Sequence, residues 1–153
     1  MRRTYFDWIL ITLTALTFAG GLIYLLYAWD TIPAMIPIHF GLNGEIDGYD
    51  DKYKIFIVIV LEAILIGMVV ATAFIPKFWN IPSKEDSPLV RGAVKVMLEL
   101  MGLVFALYFT SMYIIVSKAI AIPAWFFISF VLVVIVLSFS PFIFAVIARF
   151  KKK

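Results

Sequence analysis

The residues able to do chemistry in this chain lie in one polar stretch and one apolar stretch. The polar stretch runs from Ile32 to Lys54 and holds the single histidine, His39, with Glu45, Asp47, Asp50 and Asp51. Together with the flanking Asp30 this is half of all the acidic side chains, and Gly41, Gly44 and Gly48 are three of the eight glycines. An imidazole changes charge near neutral pH, so His39 is a candidate proton acceptor or metal ligand. The plainer role is a hydrogen bond to Asp47 or to a backbone carbonyl that pins the segment. The apolar stretch contains Glu62, whose neighbours three and four positions away are Val58, Ile59, Leu65 and Ile66. None of them can pair with a carboxylate. A lone charge in a membrane helix costs from about 3 kcal/mol upward. Glu62 must therefore face other helices and find a donor, or carry a proton. His39, Lys52, Tyr113 and Lys118 are its candidate partners.

His39, Asp47 and Glu62 form the candidate catalytic set, and the same three are the candidate metal ligands, with Glu45 as a further carboxylate. Catalytic zinc usually takes three protein ligands. The chain has no cysteine, which removes disulfides, thiolate zinc sites and thiol nucleophiles. Asp47, Asp50 and Asp51 lack the spacing of a known calcium loop and read as a solvated face. No cofactor is expected, a divalent ion at the polar loop being the one alternative.

These groups must be held by helices in lipid. Of 153 residues 64% are hydrophobic and 15% charged, too little polar surface for a water-soluble domain of this size. The apolar residues form four long runs, roughly 8–29, 55–75, 94–116 and 124–148. About 20 residues of helix cross a hydrocarbon core of about 30 Å, and a helix satisfies its own backbone there. The reading is an all-α membrane protein, one domain over 1–153, built as a four-transmembrane-helix bundle with an ordered loop over about 30–54. The first run follows Met1-Arg2-Arg3 but is too long for a signal peptide and has no A-x-A-like site, so it is expected to stay as the first helix.

Basic residues set the orientation. With both termini in the cytoplasm, ten lysines and arginines lie inside and Lys52, Lys54 and Lys118 outside. Trp8, Trp29, Trp79 and Trp125 alternate between the two interfaces. The 30–54 loop then faces the exterior of a plasma-membrane protein. The net charge of +3 sits at helix ends, with Lys151–Lys153 as an anchor beside anionic headgroups, and does not point to nucleic acid. Within helices, Lys95 is one turn from Glu99 and can pair with it. Ala63, Gly67 and Ala71, and separately Gly102, Ala106 and Thr110, repeat at spacing four, which permits close packing inside the chain or a homo-oligomer seam. Gly20-Gly21 permits a close neighbour or a bend, and Pro141 predicts a kink or hinge in the last helix. Ile81-Pro82-Ser83 with Glu85-Asp86 can cap a short turn.

In the loop, Pro33 and Pro37 impose extended backbone on the residues before them, and Asn43-Gly44 and Asp47-Gly48 are turn signals. The segment 36–40, a turn at 41–44 and the segment 45–49 predict a hairpin. Its apolar members, Ile36, Ile38, Phe40, Leu42 and Ile46, are expected to pack on the helix ends. Lys52 reads as an interfacial anchor or as a partner of Asp47, Asp50 or Asp51. The residues Ile36-Pro37-Ile38-His39-Phe40, then Gly44-Glu45-Ile46-Asp47-Gly48-Tyr49, then Lys52 give the pattern I-P-x-H-F, G-x-x-D-G-Y, K. This resembles a widespread prokaryotic membrane family whose best-known members are immunity proteins against the sporulation-delay toxin. Gly41 and Ile46 stand where that family often has asparagine and proline. The resemblance implies a binding surface at Pro37, His39, Phe40, Gly44, Asp47, Gly48 and Lys52.

Three functions follow. The first is a non-catalytic binding, immunity or sensing protein that uses the exterior loop to meet a peptide, lipid or membrane-protein partner. The second is a membrane-embedded metal-dependent or acid–base enzyme using His39, Asp47 and Glu62. The third is a small proton-coupled transporter using Glu62.

Overall fold

A computed structural model describes residues 2–41, 43–82 and 86–150. Lys151–Lys153, Lys84, Leu42 and the Ser83–Glu85 part of the expected cap lie outside the described residues. Four helices carry the fold: α1, Tyr5–Ala28; α2, Ile55–Phe74; α3, Pro88–Ser117; and α4, Ala124–Phe150. Each is long and apolar enough to cross a membrane. Between α1 and α2 two strands, β1 (Met35–Phe40) and β2 (Ile46–Asp51), pair antiparallel. Helices α1, α3 and α4 run a few residues beyond the stretches read from the sequence, most at the start of α3, while α1 and α2 each end one residue earlier. There Ser87 accepts from the Val90 amide at 3.3 Å, and Pro88 occupies the first turn, where its missing N–H costs nothing. Just before it, Arg91 holds Asp86 through two nitrogens, Nη2 to Oδ2 at 2.6 Å, and this keeps the Asp86 carboxyl below the ordinary carboxylate range.

Helix α3 is the centre of the molecule. The other three helices each pack on it, whereas α1 and α2 barely touch each other. The small residues of α3 explain this: Gly102, Ala106 and Thr110 are all buried, so neighbouring backbones come close. A Cβ at Gly102 would lie 3.4 Å from Val70 of α2 and 3.8 Å from Thr14 of α1. The α2 row is not used in this way. Ala63, Gly67 and Ala71 line an open groove of about 450 Å³ against Thr14, Ala15 and Phe18 of α1.

Helix α4 has no buried residue and is held to α3 by rings. Tyr108 stacks on Phe130 at 3.8 Å and on Phe126 at 4.7 Å. It remains helical across Pro141. The carbonyl that the proline leaves without an amide donor is that of Leu137. Ser140 Oγ donates to it at 2.7 Å, so the serine before the proline repairs the ladder.

The end of the bundle opposite the strands is closed by charge. Lys95 Nζ bonds Asp7, and Arg3 bonds Glu99. Asp7 and Glu99 are each 1% exposed. Arg3 also donates to the Ala73 carbonyl at 3.1 Å and lies over the Phe74 ring at 3.5 Å, where a cation suits the C-terminus of α2. The Lys95–Glu99 pair expected from helical spacing is thus replaced by two interhelical pairs. Asp7 is available because it sits in the first turn of α1, in a capping box with Thr4.

Candidate functional site

The hairpin begins where α1 stops. Ala28 leads into a short 3₁₀ turn, Trp29–Thr31, and Pro33 prevents further helix. Lys52, just past β2, returns to that helix end. Its Nζ donates to the Trp29 carbonyl at 3.0 Å and lies 4.6 Å from the Trp29 ring. A cation capping the last carbonyls of a helix is favourable. Lys52 therefore clamps the two ends of the loop together and is not the partner of Asp47, Asp50 or Asp51. Lys54 instead pairs with Asp50 at 3.6 Å.

The register explains how His39 meets Asp47. Pro37 opposes Tyr49, His39 opposes Gly48, and Phe40 opposes Ile46. Ile38 on one strand and Asp47 on the other are therefore extra residues, and such bulges re-aim side chains. Asp47 turns to His39, and its Oδ1 bonds His39 Nδ1. Gly48 opposite them leaves room, since a Cβ there would sit a tight 3.0 Å from His39 Cβ. The pair is open to solvent, with side-chain exposures of 72% and 49%. Glu45, Tyr49 and Asp51 are likewise exposed, whereas Ile36 and Pro37 are buried.

The tip is seated as well. Gly44 has φ +86°, accessible at low cost to glycine, and a Cβ there would overlap the Ile122 carbonyl in the α3–α4 connection. Phe40 lies 6.3 Å from Phe127 of α4, and Ile36 joins Leu25, Ile55, Tyr113, Val116 and Ile122 in the core. The hairpin thus spans one end of the bundle, from α1 to the start of α4. Gly44→Ala is expected to lift it. The left-handed backbone alone costs about 1–2 kcal/mol for a residue with a Cβ, and the overlap adds to that. Faster amide exchange confined to β1 and β2 is the measurement, and unchanged exchange would contradict this seating.

Glu62 lies about two turns below the start of α2 and is fully buried. Its donor is Thr110 of α3, with Oγ1 donating to Oε1 at 3.1 Å. Thr110 also meets Tyr113 Oη at 3.2 Å. Tyr113 thus enters one bond away, as the second member of a chain, and neither His39 nor Lys52 reaches down. The second carboxylate oxygen, Oε2, has no hydrogen-bond partner among the described residues. Gly21 of α1 makes the space, because a Cβ there would overlap Tyr113 Oη. His39 and Asp47 therefore come together, but Glu62 belongs to a separate interhelical cluster. Among the described residues no three histidines or carboxylates group as metal ligands.

The close neighbour expected at Gly20-Gly21 is Tyr113, against Gly21, whereas Thr110 as the donor and Asp7 as an ion-pair partner are not among the sequence expectations. Thr110 and Tyr113 share a face of α3 by their spacing of three, and that was the available signal.

Four apolar spans under a seated hairpin define a multi-pass, membrane-embedded protein. A family model described as a domain of unknown function, DUF1648, matches residues 16–62. The chain is similar to that family over the second half of α1, the hairpin and the start of α2 as far as Glu62. Neither the curated proteins nor the solved structures give a match.

Proposed function

We propose that this is a non-catalytic binding protein of the plasma membrane, with both termini cytoplasmic, that meets a peptide or membrane-protein partner through an exterior hairpin. One observation carries the reading: a hairpin clamped at its base and seated at its tip turns its polar side chains outward rather than into a pocket with Glu62. A loop held in one conformation loses little further entropy on binding. The distribution of charge supports the orientation, since Arg2, Arg3, Lys77, Arg91, Lys95 and Arg149 lie at the end away from the hairpin. Immunity, the role the loop's resemblance suggests, and sensing are finer forms of the same reading.

The chain has no cysteine, so Asn43→Cys gives a single label site. An impermeant maleimide is expected to label it in intact cells, and labelling only after lysis would overturn the orientation. A photo-crosslinker at position 49 is expected to yield one discrete adduct in native membranes, lost in Asp47→Ala. Turnover of a substrate by purified protein, abolished by His39→Ala, would replace binding with catalysis.

The unpartnered Glu62 oxygen favours proton-coupled transport as the second reading. Proton flux in liposomes that disappears in Glu62→Gln would establish it, and equal flux in both would end it.

A further inference from the structure

We propose that the cavity between the hairpin and helices α2 and α3 binds one acyl chain of a zwitterionic phospholipid, with a phosphoethanolamine headgroup across Asp50 and Lys54. The cavity measures about 330 Å³, within the range of small-molecule sites, and like them it is mostly apolar with few polar groups. The hairpin supplies Ile36 and Phe40 on one side, and the helices supply Val58 and Met112 on the other. Its flank is the exposed face of α2, where Ile57 lines the cavity and is 55% exposed. In a membrane-spanning helix that face meets lipid, so a chain enters sideways and not from water.

Among the described residues the charged ones lining it are Asp50 and Lys54. They form a loose pair, 3.6 Å apart, with side chains 42% and 49% exposed. Both lie where β2 passes into α2, at the level of an interface where headgroups reside. A zwitterion suits such a pair in a way that a single charge does not. An ammonium donates to the Asp50 carboxylate while a phosphate oxygen accepts from Lys54 Nζ, so both protein charges keep a partner. A choline headgroup has the same charges but no N–H to donate. A glycerol headgroup offers Asp50 no ammonium. This inference does not depend on the hairpin having a protein partner.

The test is native mass spectrometry of the full chain released from nanodiscs containing equal phosphatidylethanolamine, phosphatidylcholine and phosphatidylglycerol. One retained phospholipid per chain is expected, with the ethanolamine lipid enriched roughly three- to fivefold over each of the others, as befits half-exposed charges. Asp50→Asn should abolish the enrichment over phosphatidylglycerol, and Lys54→Gln should lower retention of all three. Val58→Trp should fill the cavity and remove the retained lipid; the two rim variants lie outside the core and keep the test decisive should that variant fail to fold. Retention in the bulk proportions, or an enrichment unchanged in both Asp50→Asn and Lys54→Gln, overturns the proposal.

Discussion

Replacing Lys95 with methionine is expected to destabilise the protein by about 3–5 kcal/mol, the usual cost of leaving a buried charge without its partner. Asp7 and Lys95 have side chains only 1% and 6% exposed, so solvent cannot take over the lost bond. Asp7 keeps the Thr4 amide of the capping box in the variant, and this places the loss toward the lower end of the range. Removing both charges is different. Lys95→Met with Asp7→Leu exchanges an ion pair for apolar packing, which is often neutral, less about 1 kcal/mol for the weakened cap. The double variant is therefore expected to be more stable than the single one. Equilibrium unfolding in mixed micelles measures all three, and a single variant within about 1 kcal/mol of the parent would show that the pair contributes little, as exposed pairs do.

The second large effect concerns two adjacent glycines that should respond in opposite directions. Glycine in a helix costs up to about 1 kcal/mol relative to alanine. At Gly20 a Cβ meets nothing within 4 Å, so Gly20→Ala is expected to stabilise by a large part of that amount. At Gly21 the same gain is outweighed. The new methyl overlaps Tyr113 Oη and lies 2.9 Å from Thr110 Cγ2, and Tyr113 is wholly buried. Overpacking of this kind costs about 1–3 kcal/mol or more, and it also displaces the Tyr113–Thr110 hydrogen bond next to Glu62. Gly21→Ala should thus be clearly destabilising, and Gly21→Val more so. Tyr113→Phe removes the clashing oxygen, so in that background Gly21→Ala should lose most of its penalty. Equal melting temperatures for Gly20→Ala and Gly21→Ala would refute this account of the α1–α3 crossing.

The spans were legible because apolar blocks of membrane length need no knowledge of neighbours. The hairpin was legible because Pro33, Pro37, Asn43-Gly44 and Asp47-Gly48 punctuate the backbone locally. The His39–Asp47 bond was among the readings for the same reason: both residues lie on one short hairpin. Partners across helices were not legible. Spacing along one helix points Lys95 to Glu99, but Asp7 of α1 reaches it, because Gly21 and Gly102 let α1 and α3 come close. Residue type points to charged and aromatic donors for Glu62, whereas a threonine of the packing row supplies the bond. The α2 row of small residues reads like the α3 row in sequence, yet only the α3 row is packed, because α3 occupies the centre. Centrality depends on all four helices at once.

Gly44 rests against the backbone of Ile122, nearly 80 residues further along the chain. During synthesis from the amino terminus, the ribbon's tip lacks this support until the connection after α3 has emerged. Completion of the extramembrane cap should therefore be a late step in assembly, reporting that α3 is in place.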